Sequence, residues 1–584
     1  MSLNLTPLQV VEVRDPRTVI RNKEYALLKG GSQVSWKPYT TTSISSSSIQ
    51  FSTPPPSPKI WIDRKMYIYL PVRITLNVAA PNANPVLRAG YDAPRAFPIS
   101  SSLNTLTVNI NNTAVSLNMS DVIQTLLRFN TNEILKEHDY SMTPSCLDQS
   151  QEYNDLLGSI RSPLGQYGDS NDESVMGRGG FTNYRIVSNT AGQAVIDCIF
   201  VEPIFLSPFY FGCGNATAFI GVQTMDWNFT FLSNSAYRMW SHNALGAAAP
   251  GAITTGQVQF SGFSGPAFSF GSVVPQLLFN YITPQQLQTI PSAMQYSYFN
   301  IDRYPTDFPA LAPNVSTTLV SNNIQLQSIP RRIYICARRN NAELQSSPNF
   351  TDTFLSINNI VVNWNNHSGL FSSATAYDLY KMSVKNHCNL SWTQWSGGPS
   401  YINGSLATLG GTVGSIVCIE MGTDIGLEDT ECAGKLGTYQ LQINVGVTNI
   451  NQSSAITPTL YIIVVSEGVF NILDNRSVSQ IGVVSSQDIL DAKQHLADYV
   501  DYETIQEVNG GNFFSGISKF GHNILERIRP IAKRIYEIGK KVAPYVKTGL
   551  NIAKTIAPYL AGLGDDEEGG ILVGDQPNYQ YCGN

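Results

Sequence analysis

The residues best placed for chemistry lie near the C-terminus. Val508-Asn509-Gly510-Gly511-Asn512 joins an acidic stretch to a basic one, and a glycine pair between such segments offers the accessible, extended backbone that a protease needs. Gly510, Gly511 and Asn512 are therefore the candidate cleavage residues. Beyond them Ile517, Ile524, Ile531 and Ile538 recur every seven residues and continue through Tyr545, Ile552 and Tyr559, while Ile528, Ile535 and Val542 each follow a member of that series by four. This spacing predicts one apolar helical stripe. Between Asn512 and Leu560 nine Lys and Arg residues stand against two Glu. A basic helix with an isoleucine face suits the boundary of an anionic lipid layer. A trimeric coiled-coil stalk and a genome clamp are the other readings. Pro530, Pro544 and Pro558, with Gly521 and Gly549 on the apolar side, argue against the stalk. The clamp has no need of the isoleucines, so charge and amphipathicity together favour the membrane.

Elsewhere the candidates are weak. None of the six histidines has a metal-type spacing with another His or with Cys, and His387-Cys388, as strand neighbours, would point to opposite faces. Asp169, Asn171 and Glu173 in GDSNDES alternate faintly like a calcium loop, but a solvated polar loop is the commoner use of such residues. No phosphate-binding glycine loop, nucleophile elbow or zinc-protease helix occurs. The reading is of a protein without catalytic residues, metal or cofactor.

The eight cysteines are widely spaced, with no C-x-x-C pair, which predicts reduced, mostly buried thiols; Cys198 and Cys418 lie in apolar strands and are expected to be buried and free. The N-terminal stretch MSLNLTPLQVVEVRDPR lacks a cationic and an apolar signal region, and no run of about 18 uncharged apolar residues follows. Neither secretion nor a membrane span is expected.

The overall net charge of −6 divides unevenly: a body of −8 up to Gly511, a basic arm, and an acidic tail with Asp565, Asp566, Glu567, Glu568 and Asp575. The body has basic pairs, Arg331-Arg332 and Arg338-Arg339, but no extended basic stripe, so sequence-specific nucleic-acid binding is not expected and those arginines read as interface or inner-surface residues.

The elements that must position all this are strands. From residue 40 to 475, runs such as MYIYLPVRITLNV, VIDCIFVEPIFL, RRIYICAR and TLYIIVVSEGVF are β-branched or aromatic and are separated by Gly, Pro, Asn and Ser clusters. Two short helical patterns stand out, SDVIQTLLRF (120–129) and AYDLYKMSV (376–384). Each follows one member of an internal repeat, SLNTLTVNINN (102–112) and SINNIVVNWNN (356–366). DRKMYIYLPVR (63–73) precedes the first as PRRIYICAR (330–338) precedes the second, and SIQF (48–51) and NIQL (323–326) come earlier still. Three pairings in one order predict a duplicated domain. About eight strands and one short helix per copy fit a jelly roll. The fold class is all-β: two tandem jelly-roll sandwiches followed by a C-terminal amphipathic helical arm. The expected layout is an N-terminal arm (1–40), a first jelly roll with long loops (41–300), a second (301–480), a helical linker with the cleavage site (481–511), and the basic segment with its acidic tail (512–584). Residues 140–190 and 236–300 are expected to be long loops that form a tower and contacts between copies.

LKGGSQVSWKPYTTTSISSSSIQF, PRAFPISSSLNTLTVNINN, SIPRRIYICARR, LSINNIVVNWNNHSGLFSSATAYDLY and IVCIEMGTDIGL, taken in order from about Leu8 to Ile472, resemble the double jelly-roll major capsid proteins of virophages and polinton-like viruses, of the mavirus type. The resemblance implies a homotrimer whose six upright jelly rolls form a pseudo-hexagonal tile of an icosahedral virion shell, assembled inside the host cell beside penton and minor capsid proteins. The low charge, 14% against about 25% in an average domain, fits extensive contact between copies. The arm is loosely similar to the membrane-lytic segments of adenovirus-like capsids, which a viral cysteine protease releases after paired glycines. On that likeness Gly510 and Gly511 precede the cut and Asn512 begins the released peptide. The alternative function is carbohydrate binding by a β-sandwich through Trp364, Trp392 and Trp395, although sandwich tryptophans are more commonly buried.

Overall fold

The repeated Asn-Asn pairs are hairpin turns. Asn111 and Asn112 sit at φ 44° and 72° between strands paired through Ile110 and Thr113. Asn365, at φ 48°, begins the corresponding turn between Trp364 and His367. A two-residue hairpin needs the left-handed region, and Asn enters it more readily than other residues with a Cβ. The computed structural model describes residues 10–13, 25–28, 32–55, 60–78, 93–129, 147–149, 151, 184–190, 192–209, 218–241, 253–263, 274–284, 293–401, 409–428, 431–451, 454–473 and 476–482. The linker, the cleavage residues Gly510, Gly511 and Asn512, and the whole arm, Ile517 to Val542 included, lie outside them, as does GDSNDES.

The first sandwich is built from β1 (Ser32–Thr40), β2 (Ser48–Ser52), β3 (Tyr67–Val78), β4 (Leu103–Ile110), β5 (Thr113–Leu117), β6 (Gln193–Pro203), β7 (Met225–Phe231) and β8 (Gln276–Pro284), with helix α1 (Met119–Leu127) after β5. The second uses β9 (Ala293–Asp307), β10 (Ile324–Ser328), β11 (Arg332–Arg339), β12 (Ser356–Trp364), β13 (His367–Leu370), β14 (Ile416–Glu420), β15 (Leu436–Thr448) and β16 (Pro458–Leu473), with α2 (Ala376–Lys385) after β13.

One sheet of the first sandwich runs β5-β4-β7-β2 and one sheet of the second runs β13-β12-β15-β10; the facing sheets run β6-β3-β8-β1 and β14-β11-β16-β9. Each strand thus has its counterpart eight labels on. The repeated sequence segments fall on counterpart strands.

Alternation fills both cores. Ile49, Phe51, Leu106, Val108, Trp227 and Phe229 line one wall of the first, against Ile68, Leu70, Val72, Leu277, Phe279 and Tyr281 on the other, all buried. Cross-strand aromatic pairs, Phe51 with Phe229 at 5.7 Å among them, tighten the packing. In the second, Ile360, Val362, Ile443 and Val445 face Ile333, Ile335, Ile462 and Val464. Cys198 and Cys418 are buried and unbridged.

The 236–300 stretch is not one long loop. It contains Ile253–Gln259, which pairs with β3, and the core strand β8. In β8 the outward positions Leu278 and Ile282 are themselves apolar, so the period-2 signal is blurred although Leu277, Phe279 and Tyr281 alternate inward.

Between the sheets of the first sandwich, Glu202 at the end of β6 is fully buried and accepts hydrogen bonds from Ile99 N at 2.6 Å, Ser100 N at 2.9 Å and Ser100 Oγ at 2.6 Å, which start the short helix Pro98–Ser102. Burial pushes its carboxyl up to about 7, although the Ser100 and Ile99 donors pull the other way. With the folded value above the unfolded one, this group's contribution to stability is complete below about pH 4.5 and is lost as pH rises through 7, an effect of about 3 kcal/mol. Melting temperatures between pH 5 and 8 are expected to show that decline in the wild type and not in Glu202→Gln, whatever the variant's absolute stability; parallel profiles would contradict the assignment.

Candidate assembly site at the junction of the two sandwiches

Every residue of β11 is buried. Ile333 and Ile335 enter the second core, while Tyr334, Cys336 and Arg338 point the other way and meet the first sandwich. A strand covered on both faces reads as an almost continuous apolar run, and RIYICAR does. Tyr334 packs on Phe129 with ring centroids 4.9 Å apart, Cys336 Sγ lies 3.4 Å from Thr125 Oγ1, and Arg338 Nη2 donates to Ser120 O at 2.7 Å. These partners belong to α1 and the residues just after it. The first sandwich thus lays its helix on the outward face of the sheet β14-β11-β16-β9.

Two carboxylates organise the contact. Asp121, in the first turn of α1, accepts hydrogen bonds from Asn341 Nδ2 at 2.7 Å and Tyr461 OH at 3.3 Å and is ion-paired with Arg303, whose Nε lies 2.6 Å away, and with Arg338 Nη2 at 3.5 Å, all from the second sandwich. Asp352 of the second sandwich is bonded by Arg238 of the first and by Arg338 at 3.4 Å, with Arg95 at 3.8 Å. Its backbone N–H donates to Asp148 Oδ2 at 2.8 Å. Arg95 also donates to Tyr237 O at 2.6 Å and to Phe350 O. Arg95, Arg238 and Arg338 are each almost wholly buried. Burial lowers the Arg238 guanidinium from its usual range, with Asp352 pulling it back; at Arg338 burial is outweighed by Tyr461, Asp121 and Asp352.

An apolar contact closes the other end. Phe219 of the first sandwich stands edge-on to Tyr296 at 5.0 Å and to Phe470 at 6.4 Å, and Arg64 lies over the Phe219 and Tyr296 rings at 5.5 and 5.2 Å. Buried ion pairs recover little net energy after desolvation, yet removing one partner is severe. The junction therefore holds the two sandwiches at one angle more than it adds to stability.

Sequence reasoning placed Arg338 and Arg339 at an interface or inner surface. It missed Asp121, Asp352, Arg95 and Arg238. The available signal was charge inside otherwise apolar elements: Asp121 opens the apolar helix and Arg338 ends an apolar strand. Of the three tryptophans proposed for sugar binding, Trp364 is buried and stacked on Tyr439 at 5.5 Å, Trp395 is buried, and Trp392 is partly exposed, so they form no common open face.

Two jelly rolls of one topology locked in one chain make this a double jelly-roll protein. Residues 7–270 match the family model described as the Sputnik virophage major capsid protein 1st domain, and 301–468 match the major capsid protein V20 C-terminal domain. A Sputnik virophage protein described as "Putative capsid protein V20" is 35% identical over 532 residues, covering 89% of this chain and 87% of that one. The 3.5 Å cryo-EM structure of the Sputnik virophage contains a chain with a TM-score of 0.72 and 33% identity, covering 87% of this chain and 100% of its own. The mavirus major capsid protein shares the fold, with a TM-score of 0.62 at 14% identity over 78% of this chain and 92% of its own. The chain belongs to the virophage major capsid protein family: it is a capsid-forming shell protein.

Asp352→Asn leaves three buried guanidinium groups short of one charge. The expected loss in denaturant unfolding is about 3–5 kcal/mol, with the single transition splitting into two as the sandwiches uncouple; an unchanged single transition would count against the junction's role.

Proposed function

We propose that three copies of this chain join as a homotrimer of near-hexagonal outline, with the sandwiches upright, and that such tiles cover an icosahedral virion shell. The observation that carries the proposal is the repetition of one strand order in two sandwiches held at a fixed angle. Two similar units per chain around a threefold axis give six similar units, so one protein can occupy hexagonal positions. Penton and minor capsid proteins then fill the remaining sites. The chain's part in this is structural rather than enzymatic.

The arm has a separate task in this proposal. A viral cysteine protease cuts after Gly510-Gly511, and the segment from Asn512 acts on a membrane through the face formed by Ile517, Ile524, Ile528, Ile531, Ile535, Ile538 and Val542. Its seven-residue isoleucine spacing and its charge, opposite to the body's, support this reading.

Light scattering on the purified chain should give three times the 64.0 kDa chain mass; monomers alone at assembly concentrations would rule the trimer out. Ending the chain at Gly511 removes no strand of either sandwich, so the melting temperature should move by no more than about 2 °C. A synthetic 512–560 peptide should gain helix on anionic vesicles and release a trapped dye. Replacing Ile524, Ile531 and Ile538 by Ser keeps the charge and should abolish leakage; equal leakage would refute the membrane role.

A further inference from the structure

The internal repeat allows the junction to be read twice. Within one chain, α1 of the first sandwich lies on the outward face of β11, β16 and β9 of the second, and all nine of its residues are buried. Moving each half of that contact by the repeat gives two further surfaces. The counterpart of α1 is α2, and the counterpart of the β11-β16-β9 face is the outward face of β3, β8 and β1.

Both counterparts carry exposed apolar side chains: α2 at Tyr377 and Val384, with Lys381 between them, and the sheet along its edge strand β1, whereas the outward residues of β3 and β8 are buried or half-buried. On α2 only Leu379 and Ser383 are buried, and Tyr377 and Val384 are 51% and 42% exposed on one face. Trp392, 38% exposed, extends that face, edge-on to Tyr377 at 5.3 Å. On β1 the alternate residues Val34, Trp36 and Pro38 pair with Ile282, Asn280 and Leu278 of β8 and so share the outward face. Val34 is 51% and Trp36 77% exposed. A fully projecting tryptophan on a sheet face is costly in water and is the kind of side chain that anchors an interface. The counterpart helices also agree in detail, since Asp121 and Asp378 each occupy the third helical position.

We propose that the exposed face of α2 in one copy docks on the β3-β8-β1 face of the next copy, with Tyr377, Val384 and Trp392 packing around Val34, Trp36 and Pro38. The inference rests on the trimer reading and assigns its contact surfaces. A second copy of this chain is the occupant because the contact continues, between chains, the interface already present within each chain: the α1 type of surface always meets the β11-β16-β9 type. Around a threefold axis the two kinds of junction alternate, and the exposed apolar side chains of β1 and of α2 are covered together.

Sedimentation over a concentration series tests this on the full chain with Trp36→Ala, Val384→Asp and the combination. Each single change should raise the half-dissociation concentration of the trimer by about tenfold or more. The double change should raise it by less than the product, because both remove one contact. Melting of the dissociated chain should be unaffected, since both side chains are exposed. Val478→Asp, at an exposed residue outside both faces, should leave dissociation unchanged. A wild-type trimer that neither Trp36→Ala nor Val384→Asp weakens would overturn the assignment while leaving the trimer reading intact, as would an equal effect from Val478→Asp. A wild-type chain that stays monomeric would remove both.

Discussion

The structure depends on the buried contact between α1 and the outward face of the second sandwich. Asp121 collects Arg303 and Arg338 from across the junction, and Asp352 collects Arg238 from across it together with Arg338 of its own sandwich. Such a network tolerates little rotation, because a shift of an ångström or two would strand a charge in an apolar medium. An apolar junction alone would be more forgiving of slip. The ionic one converts two sandwiches joined by a chain crossing into a single body, which is what a shell unit with flat, repeated contacts requires.

Duplication explains the architecture, and departures from it explain the division of labour. β3 and β11 hold counterpart places, yet β11 is buried on both faces and carries Arg338 into the junction, whereas β3 carries Arg73, which pairs with Asp197 on the neighbouring strand at 2.6 Å. The helices diverge in the same sense. α1 is apolar and enclosed, while α2 keeps Lys381 and Lys385 beside its aromatic residues and has a reciprocal cap between Thr375 and Asp378 that lets an exposed helix start cleanly.

Much of this was legible because it is local. Period-2 runs marked the strands, SDVIQTLLRF and AYDLYKMSV marked α1 and α2 to within a few residues, and the Asn-Asn repeats marked the two hairpins that define the duplication. What escaped was non-local or masked by composition. Arg238 and Asp352 stand 114 positions apart, and no spacing rule connects them. β8 hid inside an expected loop because its outward residues are apolar too. The exposure of Trp36 was equally invisible, for in sequence an outward tryptophan on a strand looks like an inward one.

The ladder between β9 and β16 pairs Ala293–Asp307 with Pro458–Leu473 along its whole length. Its consequence is one of timing during synthesis. The first sandwich has all eight strands once Pro284 has left the ribosome, but the sheet that covers α1 closes only when the chain has reached Leu473, and pairing over so long a separation is slow. Through that interval α1 waits with its apolar surface bare beside Asp121. On a crowded polysome, a second sandwich from a neighbouring nascent chain offers the same cover, so the risk of exchange between chains rises with the density of translation.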